Sequence, residues 1–406
     1  MTGASDIAAP DPPALPEPAR PAGRWRRRLA TGGAGCVTLV LAASVIFLVV
    51  ASVPDPLALA VSVVLAVVPA TLYALLVLRL DRYEREPGRA LLAAFGWGAI
   101  GAVFFSVISS LIFTTILATA VTEDANLFLS AAIGAPLVEE TCKGIALLAV
   151  LLFFRHELDN VLDGLIYGAL IGLGFAMTEN ILYFGAEYLD HGFRGLGTLF
   201  VARAIIDGFG HAAYIATTGA AIGWTRRQYR QGGWRFVVPL LGWGLAVFQH
   251  FLWNTGLFVI GAFQGSETST LSVVLIEAPL FILPAVAVLV VIARAAGRRE
   301  LATLREQLAS EVDGGVVSAT DYRTLTDPAL RRVALRETDR RGGRPLRRRQ
   351  ERFFQVAAEL AFRKYHLARG ERPKPGQLAP EEAYRQELIA LRAEIARGQT
   401  SSATST

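Results

Sequence analysis

Long, nearly uninterrupted apolar runs decide what this chain can fold into. Eight of them lie at about 34–53, 57–79, 90–119, 128–154, 161–184, 200–224, 238–262 and 272–294. Each is long enough to cross roughly 30 Å of bilayer hydrocarbon as a helix. Inside hydrocarbon every backbone N–H and C=O must be satisfied within the segment, which leaves helices or closed barrels. Runs of this length predict an all-α, polytopic transmembrane helix bundle of about eight spans. The composition agrees, since 53% of the 406 residues are hydrophobic and only 18% are charged. The two cysteines, Cys36 and Cys142, both sit in apolar runs, and they offer neither a disulfide framework nor zinc-finger spacing.

The loops give the orientation. The second loop holds Arg79, Arg82, Arg85 and Arg89, and the sixth holds Arg226, Arg227, Arg230 and Arg235. The third holds Glu123 and Asp124 with no basic residue, and the seventh holds only Glu267. Under the positive-inside rule this alternation predicts a multi-pass protein with both N- and C-termini in the cytoplasm. Residues 1–33, rich in Pro and Ala before Arg26, Arg27 and Arg28, predict a disordered cytoplasmic N-terminus ahead of an uncleaved first span. Residues 34–294 form the bundle. Residues 295–406 predict a small helical cytoplasmic tail, with amphipathic helices at Arg348 to His366 and Pro380 to Arg397. Glycine pairs at 314–315 and 342–343 and the stretch from Pro373 to Gly376 are its breaks. No P-loop and no dinucleotide fingerprint occurs, and nothing points to nucleic acid.

Charges inside the apolar runs carry the functional information. An ionisable residue near the bilayer centre costs roughly 2.5–3.5 kcal/mol on insertion scales. Yet Glu139, Glu140 and Lys143 fall within five positions of the fourth run. Gly134 and Pro136 predict a helix break there, with a new helix from Pro136 to about Phe154. The fifth run carries Gly164, Gly168 and Gly172 at four-residue spacing, a face for close helix contact. It ends with Glu179 and Asn180. Arg203, Asp207 and His211 lie in the sixth run, and His250 and Asn254 in the seventh. The Asp207–His211 and His250–Asn254 spacings of four place each pair on one helix face. Arg203 is a possible partner for Asp207.

A bundle would gather these groups beneath the outer surface. Glu140, Glu179, His211 and His250 then offer two carboxylates and two imidazoles to a divalent metal such as zinc. A bound metal acidifies its water and polarises a carbonyl. Without metal, a glutamate paired with histidine can activate water while His250 and Asn254 face the developing oxyanion. Either route gives peptide hydrolysis in the membrane. A transporter or channel lined by the same charges, or a non-catalytic scaffold, is the alternative reading.

Taken in order, Glu139-Glu140-x-x-Lys143, the glycine-rich run ending Phe175-x-x-x-Glu179-Asn180, His211, and His250-x-x-x-Asn254 resemble the motifs of the PrsW family. These are proposed intramembrane metalloproteases related to the CAAX-protease and bacteriocin-immunity superfamily. The resemblance covers about residues 130–262. It implies a protease of the bacterial plasma membrane that cuts a single-span membrane protein, such as a membrane-anchored anti-sigma factor. It also implies a site of Glu139, Glu140, Glu179, His211, His250 and Asn254, with Lys143 at the basic position of the first motif. CAAX proteases carry His where this chain has Glu179, which argues against prenyl-protein processing.

Overall fold

The computed structural model describes residues 24–83, 85–153, 158–228, 232–264, 270–370 and 380–403. Of the stretch 1–33 expected to be disordered, residues 1–23 fall outside them, as does the break at Pro373, while residues 24–33 are helical, as the first turns of α1. Among the described residues every regular element is helical. The first half runs through α1 (Arg24–Ser52), α2 (Pro56–Leu78), α3 (Gly88–Gly96), α4 (Val103–Ala118), α5 (Glu123–Leu129) and α6 (Ala135–Phe153). It continues through α7 (Val161–Phe200), α8 (Gly210–Gln228), α9 (Trp234–Gln264), α10 (Thr270–Glu277) and α11 (Leu283–Asp313). Then come α12 (Ala319–Thr326), α13 (Pro328–Ala368) and α14 (Glu381–Ala403). Four π-helical segments interrupt these helices, at Trp97–Ala102, Ser130–Gly134, Val201–Ile206 and Ala278–Ile282.

Among the described residues, six stretches are long and apolar enough to cross a membrane: Gly35–Ser52, Pro56–Leu78, Gly88–Ala118, Val161–Arg226, Trp234–Gly256 and Leu271–Asp313. The sequence suggested about eight. Val161–Arg226 contains two helices, α7 and α8. The 19-residue α6 carries Glu139, Glu140 and Lys143, and those charges set it apart from the apolar stretches. Outward-facing side chains such as Phe47, Leu72, Leu111 and Leu240 are exposed, as expected for a surface that meets lipid.

Helix α7 is the post of the bundle. Asn160 starts it with a capping box: its Oδ1 accepts from Leu162 N–H at 2.7 Å, and Asp163 Oδ2 accepts from Asn160 N–H at 2.9 Å. The glycine face then meets α8 antiparallel. A Cβ on Gly172 would lie 2.3 Å from the His211 carbonyl oxygen, and one on Gly168 would lie 2.7 Å from that of Ile215. Neither position admits a side chain, and this close approach fixes the height of His211 against α7. The helix runs past the expected end near 184 to a kink at Gly192, whose φ of 63° suits glycine.

The tail has its own core, in which Leu304, Leu308, Phe353, Leu360 and Leu388 pack together. Tyr83, from the loop after α2, is buried in that core. Helix α11 passes from the bundle into the tail without a break at 294, ending at Asp313 before Gly314 and Gly315. Gly343 kinks α13 at φ 62°, at the glycine pair marked as a break in the sequence.

Candidate active site

Four helical regions bring their ionisable side chains to one place. Helix α6 places Glu139, Glu140 and Lys143 on adjacent turns, and all three are buried. The Lys143 ammonium donates to Glu140 Oε1 at 2.9 Å and to Glu139 Oε2 at 3.2 Å. It also lies 2.9 Å from His211 Nδ1 and 3.8 Å from the centre of the Phe175 ring. An ammonium has no lone pair, so His211 Nδ1 is the acceptor and its proton sits on Nε2. That Nε2–H faces Glu179 Oε2 at 2.9 Å. Arg203 holds Glu179 from the other side at 2.8 Å and donates to Asn180 Oδ1 at 2.9 Å.

His250, on α9, completes the cluster. Its Nδ1 lies 3.1 Å from Glu140 Oε1. A carboxylate on Nδ1 orients the imidazole and leaves Nε2 for other work, as carboxylates do behind metal-bound histidines. Tyr214 stacks on His250 with ring centres 5.0 Å apart, and the His211 ring stands at 89° to His250 at 5.1 Å. Glu140 is fully buried, and its second oxygen, Oε2, has no hydrogen-bond partner among the described residues. Such an oxygen is costly unless something polar, such as a water, meets it.

The residues expected at the site are thus gathered with two departures. Asn254 donates its side-chain amide to Ala131 O at 2.8 Å and is therefore committed away from an oxyanion position. The reason lies in the π segment Ser130–Gly134, which carries α5 into α6 as continuous helix where a break at Gly134 and Pro136 was expected. Ala135 N–H bonds Ser130 O across the π segment, and Pro136, next in line for Ala131 O, has no N–H to give. Asn254 satisfies that orphaned carbonyl and so pins the start of the helix bearing Glu139 and Glu140. The second departure is Asp207. The chain leaves the helix at Asp207–Phe209 and α8 begins at Gly210, so the spacing of four does not align Asp207 with His211. Asp207 Oδ1 has no partner among the described residues, and Arg203 bonds Glu179 instead. The flanking glycines, Gly208 and Gly210, were the available signal for that break.

Sequence reasoning gave no role to Phe175 and passed over Tyr214. Tyr214 lies one turn after His211, and that spacing was its only mark. Three of the π segments border the site. Val201–Ile206 carries Arg203, Ser130–Gly134 precedes α6, and Trp97–Ala102 accepts from Thr178 through Ala99 O at 2.9 Å. Local π widening of this kind is frequent at functional sites.

Ligand atoms of Glu139, His211 and His250 all lie within 4.8 Å of one another. Two imidazoles and one carboxylate are a donor set that zinc takes readily. The grouping differs from the four donors expected, since Glu140 and Glu179 stand behind His250 and His211. Three carboxylates, Glu139, Glu140 and Glu179, meet two cations, Lys143 and Arg203, and the negative excess further suits a cation. The Lys143 ammonium lies against two of the three donors, so an ion bound by them would displace it.

Comparison with known proteins points the same way. Protease PrsW of Clostridioides difficile (strain 630) is 31% identical over 156 residues, 38% of this chain and 62% of that protein. Protease PrsW of Geobacillus kaustophilus (strain HTA426) is 32% identical over 146 residues, 35% of this chain and 57% of that protein. Protease PrsW of Bacillus subtilis (strain 168) is 29% identical over 117 residues, 28% and 49%. The chain thus spans about half to three fifths of the length of these curated relatives. No solved structure matches. Residues 86–291, half of the chain, match the family described as PrsW family intramembrane metalloprotease. With six stretches among the described residues long and apolar enough to cross a membrane, and a buried Glu–His–Lys cluster, this chain is a multi-pass membrane protein and belongs to the PrsW family.

Proposed function

We propose that the chain is an intramembrane endopeptidase that hydrolyses a peptide bond of a single-span membrane protein, such as an anti-sigma factor. The observation that carries this is the buried Glu140 carboxylate, with Oε1 held by Lys143 and His250 and Oε2 without a partner among the described residues. Glu140 Oε2 takes a proton from water as the water oxygen adds to the substrate carbonyl carbon. The same carboxyl returns that proton to the departing amine as the C–N bond breaks. Lys143 balances the charge of the carboxylate, and its ammonium also faces the charge that builds on the reacting oxygen. His250, oriented by Glu140, and His211, oriented by Glu179, wall the water in. Asn254 positions α6. Glu139, His211 and His250 would hold a divalent metal such as zinc, which would supply an acidified water and a polarised carbonyl.

Eight crossings, with both termini in the cytoplasm of a bacterial cell, fit this reading. Tyr83 of the second loop is buried in the tail core, and Asp159 of the fourth loop meets His366 of the tail at 3.0 Å. The second and fourth loops therefore lie on the tail's side, and the second is rich in arginine. Cleavage then takes place in the outer half of the bilayer, within the bundle 34–294.

The test is reconstitution. Purified protein in liposomes with a tagged single-span reporter should release two fragments, and His250→Ala should release none while inserting normally. Divalent metal per chain is measured on the same samples. Near-stoichiometric metal lost in Glu139→Ala and His250→Ala identifies the ligands. An active metal-free protein assigns water activation to Glu140 and His250 alone. An inactive, well-folded wild-type protein offered several single-span reporters would overturn the proposal.

A further inference from the structure

A second polar feature lies away from the catalytic cluster, where the bundle meets the tail. The loop after α2 and the start of α13 enclose a cavity of about 380 Å³. Five arginines line it: Arg79, Arg82, Arg85, Arg331 and Arg332. Its described acidic residues are Asp81 and Glu351. Both are engaged, since Asp81 Oδ2 accepts from Glu86 N–H at 2.9 Å and Glu351 pairs with Arg347 at 3.0 Å. Among the described residues the arginines outnumber the carboxylates, so the lining is net positive.

Arg331 is the informative member. Its guanidinium lies over Tyr83 at 5.1 Å and over Phe354 at 4.8 Å. One terminal nitrogen, Nη1, is buried without a hydrogen-bond partner, and no described carboxylate pairs with the side chain. Burial, with Arg85 adding to it, pushes this arginine down to about 10. A guanidinium held beside two rings, with one N–H donor unused, suits a phosphate oxygen.

The neighbouring cavity supplies the second half of a ligand. It measures about 480 Å³ and shares Arg82, Tyr83 and Pro328 with the first. It extends between bundle helices along Val77, Leu165 and Leu289, with Arg294 and Arg298 at its rim. Arg79 directly follows the apolar helix α2, and Arg294 follows the apolar start of α11. The basic cavity thus lies at headgroup depth and the apolar one at acyl-chain depth.

We propose that these joined cavities bind an anionic membrane phospholipid from the leaflet on the tail's side. The phosphate sits on Arg331 and Arg82, and an acyl chain lies along Val77 and Leu289. The bound lipid would clamp the tail to the bundle, because its phosphate bridges the α2–α3 loop and α13. A free phosphate ion shares the headgroup chemistry but not the chain.

The experiment uses the full chain purified in a neutral detergent. Phosphatidylglycerol, phosphatidylcholine and inorganic phosphate are added separately. Bound lipid is counted by native mass spectrometry, and thermal unfolding is recorded alongside. Phosphatidylglycerol should bind on the order of tenfold better than phosphatidylcholine, the worth of one charge-assisted contact. Arg331→Gln and Arg82→Gln should each remove that preference. Arg331→Lys, which keeps the cation between the rings, should retain part of it, and Arg348→Gln on the outer face of α13 should retain all of it. Equal phosphatidylglycerol binding by wild type and Arg331→Gln would overturn the proposal. So would equal binding of the two lipids by wild type. Protection by inorganic phosphate matching that of phosphatidylglycerol would overturn the lipid and leave a phosphate ion as the ligand.

Discussion

Two buried carboxylates in this molecule, Glu140 in the bundle and Glu311 in the tail, each stand between basic partners, and they differ in one respect. Glu311 accepts from Lys364 at 2.7 Å and from Arg385 at 2.9 and 3.0 Å, so both of its oxygens are engaged. It ties the end of α11 to α13 and α14. Glu140 is engaged through Oε1 alone, and its Oε2 has no partner among the described residues. The tail has spent its carboxylate on structure. The bundle has left one oxygen over, on the carboxylate that orients His250, in a medium where an idle polar atom is expensive. Under the proposed function, that difference separates a clasp from a reaction centre.

The sharpest way to break the contrast is Glu140→Gln, which keeps the shape and removes the base. Reporter cleavage in liposomes should fall about a thousandfold, the scale of a lost general base. Membrane insertion, read by detergent-extractable monomer, should be unchanged. Next in size is Lys143→Met. It leaves Glu139 and Glu140 buried without their ammonium, and thermal unfolding should register a loss on the order of 3 kcal/mol. A neutral effect there would mean that a proton or a metal already balances the pair.

Glu311→Gln tests the other side of the comparison. It should cost the tail about 2 kcal/mol, the worth of charge-assisted bonds, with cleavage intact below the unfolding midpoint. Its pH dependence has a definite sign. Arg385, followed by Lys364, holds the Glu311 carboxyl below the usual carboxylate range. The stabilisation is therefore complete above the unfolded value near about 4.3 and disappears as pH falls through the lower folded one. Tail unfolding followed by limited proteolysis should be flat from neutral pH to about 5 and should steepen below it in wild type only. The smallest expected effect is that of Asn254→Ala, about 1 kcal/mol of stability and a roughly tenfold loss of cleavage through a misplaced α6. A loss as large as that of Glu140→Gln would instead put Asn254 at the reacting atoms.

The residues themselves show what could be read in advance. Glu139, Glu140, Lys143, Glu179, His211 and His250 are legible because a charge in an apolar run has no cheap explanation. The glycines at 164, 168 and 172 announced the contact that sets His211 against α7. Partner identity was not legible, because helical spacing says which side chains share a face but not what faces them. Asn254 shares a face with His250, yet it answers a carbonyl orphaned by Pro136 more than a hundred positions earlier in the chain. Asp207 and His211 failed as a pair because the spacing assumed a continuous helix where the chain turns at Gly208. Among Glu139, Glu140 and Glu179, the one nearest in space to both histidines depends on rotamers that no spacing encodes. The burial of Tyr83 in the tail core is equally silent in sequence, since a loop tyrosine next to arginines reads as solvent-facing.

The most direct measurement compares initial cleavage rates of one single-span reporter by wild type, Glu140→Gln and Glu311→Gln in the same liposomes. The account predicts a collapse of about a thousandfold for Glu140→Gln and a wild-type rate for Glu311→Gln. Cleavage by Glu140→Gln at the wild-type rate, with the reporter cut at the same bond, would contradict it.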